Sequence, residues 1–116
     1  MATIHLHKLN CILNDEVDKD EVYLKFNGKK IWPEKGAYTR IDNSESFDLN
    51  VKVQHHEPHT PLVIELWDFD YLSLNDHLGS FHITLGNDTS GKFTTSMTLH
   101  EKNSTASYIL HWEIIE

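Results

Sequence analysis

The sequence predicts an all-β fold, an eight-stranded antiparallel β-sandwich, and three observations support this. Most of the chain consists of short runs in which apolar and polar residues alternate, the pattern of strands with one buried face. These runs recur at intervals of roughly 8–14 residues, the spacing typical of antiparallel sandwiches. No segment repeats its apolar residues with the helical period of about 3.6. We therefore expect two packed sheets and no helix.

The first predicted strand, Thr3 to Leu13, carries two alternating phases. Ile4 and Leu6 belong to one phase, whereas Leu9 and Cys11 belong to the other. A change of phase within one strand indicates either burial on both faces or a β-bulge.

The next two strands form a predicted hairpin. Val22 to Phe26 alternates, and Asn27-Gly28 is the dipeptide most typical of a two-residue type I′ turn. Lys29 to Trp32 should pair back until Pro33, which lacks an N–H donor, ends the strand. Residues 37–41 are expected to resume it.

Alternation predicts five further strands, separated by linkers at 54–61 and 86–91 that are rich in turn-forming residues. These strands are Phe47–Val53, Leu62–Trp67, Gly79–Leu85, Phe93–Leu99 and Tyr108–Ile114.

Length and composition bound the class of protein. The 116 residues predict a single domain over 1–116, with an apolar content of 39% that is ordinary for a globular protein. Cys11 is the only cysteine, so no intrachain disulfide can form. No apolar run approaches the ~20 residues of a membrane span, and no signal peptide follows Met1. These features favour a cytoplasmic or peripheral membrane location.

Acidic residues are concentrated in two short stretches. The net charge is −8, and 8 of the 18 acids lie in residues 15–21 and 68–76. Elsewhere acids and bases nearly balance. This distribution argues against nucleic-acid binding, which requires a basic face. It indicates either cation binding or a solvated acidic edge.

The segment Leu62 to Phe81 contains the second stretch. Asp68 and Asp70 are two residues apart on an extended backbone, so their side chains point the same way. A third carboxylate, Asp76, is expected in the same loop, which closes at Gly79. Carboxylates gathered in this way are the ligands that Ca²⁺ prefers.

This pattern resembles the third calcium-binding loop of a C2 domain. The spacing D-x-D-x(5)-D-x-L-G runs from Asp68 to Gly79. The stretch DEVYLKF at 20–26 resembles the one that follows loop 1 in this family, with Glu21 where an aspartate is expected and Val22 replacing a proline. Loop 1 is therefore atypical. The order of strands resembles the type II topology of the family.

The resemblance implies a Ca²⁺ site between the two acidic loops. Asp68 and Asp70 would bridge the ions, and Asp18, Asp20 and Glu21 remain alternatives for the loop 1 ligand. The other implied ligands are Asp15, Asp76 and the carbonyl of Phe69. The alternative is a solvated acidic end that has lost calcium.

The tip of the second loop, 71–74, is apolar. By resemblance, Tyr71, Leu72 and Leu74 would enter a lipid headgroup layer, and an apolar tip suits neutral lipids. Alternatively, Leu72 or Leu74 folds back onto the core.

We expect a calcium-binding module that docks on a phospholipid membrane. The alternative is a calcium-independent interaction or assembly module for a protein partner. The sequence contains no catalytic motif, and we interpret Cys11 as an inert buried thiol. We therefore do not expect the chain to have enzymatic activity.

The histidines offer two weaker patterns. His55, His56 and His59 have a metal-like spacing but no partner cysteine, which favours a solvated linker over a zinc site. His5 and His7 share a strand face, and a surface ladder with His111 is the favoured interpretation.

Overall fold

The strands form two antiparallel sheets that pack face to face, and buried and exposed residues alternate along the central strands. A computed structural model describes residues 2–15, 19–56, 59–85, 90–101 and 104–115. The strands in this part of the chain are β1 Ala2–Leu13, β2 Asp20–Phe26, β3 Lys29–Trp32, β4 Thr39–Ile41, β5 Ser46–His55, β6 Leu62–Asp68, β7 Asp76–Ile83, β8 Gly91–Ser96, β9 Thr98–Leu99 and β10 Ser107–Ile114. The predicted all-β sandwich is confirmed.

The first sheet has the order β5-β1-β10-β8, so the last strand lies beside the first. The second sheet has the order β3-β2-β6-β7-β9, and β4 also pairs with β2. Every pairing is antiparallel. The described part of the chain contains no helix that is long and apolar enough to cross a membrane.

The core fills the space between the sheets. Each central strand contributes every second residue, as alternation requires. The largest fully buried side chains are Tyr108, Phe81, Ile4, Leu6, Leu9, Leu24, Ile41, Leu62, Ile64, Leu66, Ile83 and Leu110.

A bulge explains the two phases of β1. The pairing of β1 with β10 shifts between Leu6 and Lys8, so His7 is an extra residue. Ile4 and Leu6 precede the bulge and Leu9 and Cys11 follow it, yet all four are buried. Of the two alternatives offered by the sequence, the bulge is correct.

Cys11 is the single thiol of the chain, and it faces the core. It is free and only 1% exposed. Burial raises the pKa of its thiol to about 11, and the nearby carboxylates of Asp20 and Asp42 act in the same direction. The predicted inert thiol is therefore consistent with its surroundings.

The hairpin after β2 forms as predicted. Asn27 and Gly28 have φ values of 52° and 79°, the left-handed conformation that a type I′ turn requires. The third predicted strand is divided at Pro33 into β3 and β4, which pair with successive parts of β2.

The seventh predicted strand, Phe93 to Leu99, is also divided, which raises eight predicted strands to ten. The segment leaves the first sheet after β8 and joins the second as β9, with Met97 between them. Gly79 on β7 makes room for this crossing. A Cβ atom at Gly79 would lie 2.5 Å from the Thr98 carbonyl oxygen and 2.6 Å from Met97 Cγ.

Gly79→Ala is expected to destabilise the domain by roughly 1–3 kcal/mol, because the added methyl must displace backbone that is part of the sheet. Urea unfolding followed by tryptophan fluorescence would measure the loss. His82→Ala, an exposed change on the same strand, is the control and should fall within about 0.5 kcal/mol of wild type. Equal stability of both variants would contradict the close approach at Gly79.

Candidate functional site

One end of the sandwich brings the two acidic loops together. The loop after β1 leads into β2 and the other loop follows β6, and these two strands meet where Glu21 N–H donates to Asp68 Oδ1 at 2.9 Å. The segment before β10 joins them, because Ser104 donates its hydroxyl to Asp15 Oδ1 at 2.6 Å. We call this the acidic end. Residues 16–18, including the candidate ligand Asp18, lie outside the described residues.

Asp20 is fully buried at the acidic end. Its carboxylate accepts the Tyr108 hydroxyl at 2.5 Å and the Asp15 backbone N–H at 2.9 Å. Burial and the hydrogen bond to Asp20 raise the pKa of Tyr108 well above its usual range, so the hydroxyl keeps its proton. Asp20 thus holds the first residue of β2 against β10 in the opposite sheet.

Asp68 is also buried, whereas Glu21 is partly exposed. Glu21 Oε2 lies 3.9 Å from Arg40 Nε, and its backbone carbonyl accepts the Phe69 N–H at 2.7 Å. These contacts fix the point where the second loop leaves β6. Of the two described loop 1 candidates, Glu21 has the more accessible carboxylate.

Asp76 lies in β7 and not in the loop where the sequence predicted it. It pairs directly with Asp68 across the hairpin. Leu78 is an extra residue in β7, and the pairing resumes after it with Trp67 opposite His77 and Asp68 opposite Asp76. Asp76 is exposed and lines a shallow cavity of about 140 Å³ together with Asp15, Glu101 and Ser104. Sequence inspection did not predict Glu101 or Ser104, which lie far from the loop motifs.

Asp70 organises the second loop. Its carboxylate accepts the Leu72 N–H at 2.9 Å and the Ser73 hydroxyl at 2.8 Å. These bonds lower the pKa of Asp70, so this exposed carboxyl is ionised at neutral pH. Its own N–H donates to Asn75 Oδ1 at 2.9 Å, which closes the loop.

The loop tip points into solvent. Tyr71 is 75% exposed, Leu72 is 96% exposed and Leu74 is 92% exposed. The alternative in which Leu72 or Leu74 folds back onto the core is therefore wrong. The Asp70 hydrogen bonds to the Leu72 N–H and the Ser73 hydroxyl hold this part of the loop in a turn.

Aromatic rings support the base of the tip. Phe69 stacks on Tyr38 with centroids 5.2 Å apart and meets Tyr71 edge-on at 4.8 Å. Hydrogen bonds to Tyr71 and Glu21 raise the pKa of Tyr38 to about 12. Sequence inspection missed Tyr38, because it precedes a short edge strand that has no motif.

The predicted calcium ligands do not form one tight cluster. Among the described residues, the acids of these loops include no set of three whose ligand atoms all lie within 4.8 Å. Within the described residues, one set of three meets this distance, and it lies away from the acidic end. It consists of His5, His7 and Glu113. The acidic end is therefore an open arrangement of carboxylates around a shallow cavity.

The linker histidines do not converge either. His55, predicted to be solvated, is buried at the end of β5, and its Nε2–H donates to the Thr60 carbonyl at 2.7 Å. His56 and His59 are exposed. Residues 57 and 58 lie outside the described part of the chain.

Comparison with known proteins identifies a matching family and solved structures with a similar fold. A family model described as "C2 domain" matches residues 32–100. The C2A domain of plant extended synaptotagmin 1 superposes with a TM-score of 0.53 at 14% identity, covering 96% of this chain and 90% of that one. No curated protein matches the sequence significantly.

Two further solved structures are similar. The C2A and C2B domains of extended synaptotagmin 2 give a TM-score of 0.59 at 20% identity, covering 97% of this chain and 39% of that one. A structure described only as a C2 domain gives a TM-score of 0.52 at 12% identity, covering 97% and 96%. At these identities the likeness concerns the fold alone.

Tyr108→Phe is expected to lower the free energy of unfolding by roughly 1–3 kcal/mol, because the buried Asp20 carboxylate loses a hydrogen-bond donor. Urea unfolding would measure the change. Tyr71→Phe deletes the same hydroxyl at an exposed position and should change stability by less than about 0.5 kcal/mol. If both variants were equally stable, the tie between Asp20 and Tyr108 would not contribute to the fold.

Proposed function

The chain belongs to the C2 domain family, and from that premise we propose that it docks on a phospholipid membrane through the loop tip 71–74. We further propose that Ca²⁺, held by carboxylates at the acidic end, controls this docking. C2 domains are typically binding modules without catalytic activity, and they bind phospholipids or proteins.

The observation that carries the proposal is the exposure of Leu72 and Leu74. Two leucines that are more than nine-tenths exposed on one loop form an apolar projection, which on soluble proteins often marks an interaction surface. Complete burial of a leucine side chain contributes about 1.5–3 kcal/mol. Insertion of both leucines into an interfacial lipid layer would therefore give a substantial part of a reversible membrane affinity.

The rigid base of the tip supports the same function. The Asp70 carboxylate fixes the backbone at Leu72, and the Phe69 and Tyr38 rings pack beneath Tyr71. Because the tip is already ordered, insertion loses less conformational entropy than it would with an unstructured loop.

Charge explains why a cation would control docking. The acidic end lies directly below the tip, and its carboxylates repel the phosphate groups of lipids. Bound Ca²⁺ would reverse this local field. Both Asp68 and Asp70 supply oxygens at the base of the loop, and the ionised state of Asp70 suits a cation.

Further ligands come from the other elements at this end. We assign the loop 1 contribution to Glu21, because Asp20 is buried and bonded to Tyr108. The proposed set is Asp15, Glu21, Asp68, Asp70, Asp76 and the Phe69 carbonyl. Ca²⁺ takes six to eight oxygens, so water would complete the coordination.

A second candidate is calcium-independent binding of a protein partner at the same tip. The aromatic rings of Tyr38, Phe69 and Tyr71 favour it, since aromatic side chains are enriched at protein interfaces. Insensitivity to chelator distinguishes this candidate from the first.

Thermal unfolding with millimolar Ca²⁺ and with EDTA would test calcium binding. At 100 times its dissociation constant, an ion that binds only the folded state stabilises it by about 2.7 kcal/mol, which raises Tm on the order of 10 °C. Asp70→Asn combined with Asp76→Asn should lose this shift, because two exposed ligands lose their charge. Asp48→Asn, an exposed change on β5, should retain it. A native chain with the same Tm in both buffers would exclude calcium control.

Co-sedimentation with phosphatidylcholine vesicles would test docking. The native chain should bind in Ca²⁺ and not in EDTA, and Leu72→Ser combined with Leu74→Ser should weaken binding at least about tenfold, from the lost apolar burial. Ile115→Ser is the matched control, because Ile115 is a partly exposed apolar residue at the opposite end. Equal binding by the tip variant and the native chain would contradict membrane insertion.

A further inference from the structure

A second cluster of ligand-type side chains lies on the outward face of the sheet β5-β1-β10-β8. The ligand atoms of His5, His7 and Glu113 all lie within 4.8 Å of one another. His7 Nε2 is 2.9 Å from Glu113 Oε1, and the rings of His5 and His7 have centroids 4.1 Å apart. All three residues are partly buried, so the cluster is sheltered but open to solvent.

Strand pairing brings together three residues that lie near opposite ends of the sequence. His5 and His7 are two residues apart on β1, so both face outward. Glu113 on β10 is the direct cross-strand neighbour of His5. The bulge at His7 adds one residue to β1 relative to β10 and brings the His7 imidazole to the Glu113 carboxylate.

The neighbouring strand fixes the orientation of His5. Opposite the bulge, β5 carries two residues, Leu49 and Asn50, where β1 has only His7. Asn50 takes the left-handed conformation with φ 51°, which asparagine tolerates better than most residues. Its Oδ1 lies 3.0 Å from His5 Nε2, so His5 donates Nε2–H to Asn50 and keeps Nδ1 free to act as a ligand.

This donor set suits a transition metal and not a hard cation. Two imidazoles and one carboxylate are a known zinc ligand combination, and a second hydrogen bond that sets the histidine tautomer is typical of such sites. In a tetrahedral site with Zn–N and Zn–O distances near 2.0–2.1 Å, neighbouring ligand atoms lie about 3.3 Å apart. The 2.9 Å separation of His7 and Glu113 therefore requires only a small adjustment.

We propose that His5, His7 and Glu113 form a binding site for a divalent transition metal ion such as Zn²⁺, with water as the remaining ligand. The site does not depend on the proposed calcium function. From His5 to Leu13, β1 extends for about 26 Å at 3.3 Å per residue, so the two sites lie toward opposite ends of the domain.

Charged groups around the cluster have opposing effects on the ion. Lys52 on β5 faces His5, and Lys92 on β8 faces Glu113. These lysines repel a cation. In the metal-free protein, the hydrogen bond from His7 and the charge of Lys92 lower the pKa of Glu113, so its carboxylate is ionised at neutral pH. Two imidazoles and one carboxylate, with two lysines nearby, favour moderate affinity.

Isothermal titration of the tag-free chain with ZnCl₂ would test the site. We expect one ion per chain at the cluster. His5→Gln combined with His7→Gln should weaken this binding by at least about tenfold, and Asn50→Ala should weaken it by a smaller factor through the loss of His5 orientation. Thermal unfolding without zinc would confirm that each variant is folded.

Two matched controls separate this site from other metal binding. His56→Gln combined with His59→Gln removes two exposed histidines from the β5–β6 linker and should leave zinc affinity unchanged. Asp70→Asn combined with Asp76→Asn should also leave it unchanged, because those residues lie at the acidic end. Undiminished affinity in the His5 and His7 variant, or no heat of binding with the native chain, would overturn the proposal.

Discussion

The hydrogen bond from Tyr108 to Asp20 connects the two sheets at the end where the loops converge. Asp20 begins β2 in one sheet and Tyr108 lies near the start of β10 in the other. A buried carboxylate is costly unless donors surround it. Because Asp20 also accepts the Asp15 N–H, the position of the first acidic loop depends on this pair. Asp15 in turn accepts the Ser104 hydroxyl, so the loop before β10 is held by the same chain of contacts.

The acidic end thus combines a fixed base with an exposed projection. Buried carboxylates hold the base, whereas exposed ones remain available to a ligand. Asp68 belongs to the first group, because it is buried at the root of the second loop and accepts the Glu21 N–H. The leucines of the tip contribute little to the fold, since almost none of their surface is buried. Stability and binding are therefore assigned to different residues of the same loop.

Local pattern was sufficient to predict much of the fold. Alternation identified the strands, and Asn27-Gly28 identified the hairpin, because both depend on neighbours in sequence. The division at Met97 was not predictable, since it arises from the space that Gly79 leaves on a distant strand. The contact of His7 with Glu113 spans 106 residues, so no spacing rule could reveal it. For Leu72 and Leu74 the sequence left two positions open, exposed at the tip or folded onto the core, and in the structure both side chains are exposed.

The environment of Cys11 makes the native fold independent of the redox potential around it. No disulfide holds the described strands together, so a reducing solution has no covalent link between them to break. The one thiol is buried and has a pKa of about 11, so it is almost entirely protonated near neutral pH and shielded from oxidants. Thiolate is the form that reacts. The same sandwich would therefore keep its structure in an oxidising solution, provided that it stays folded.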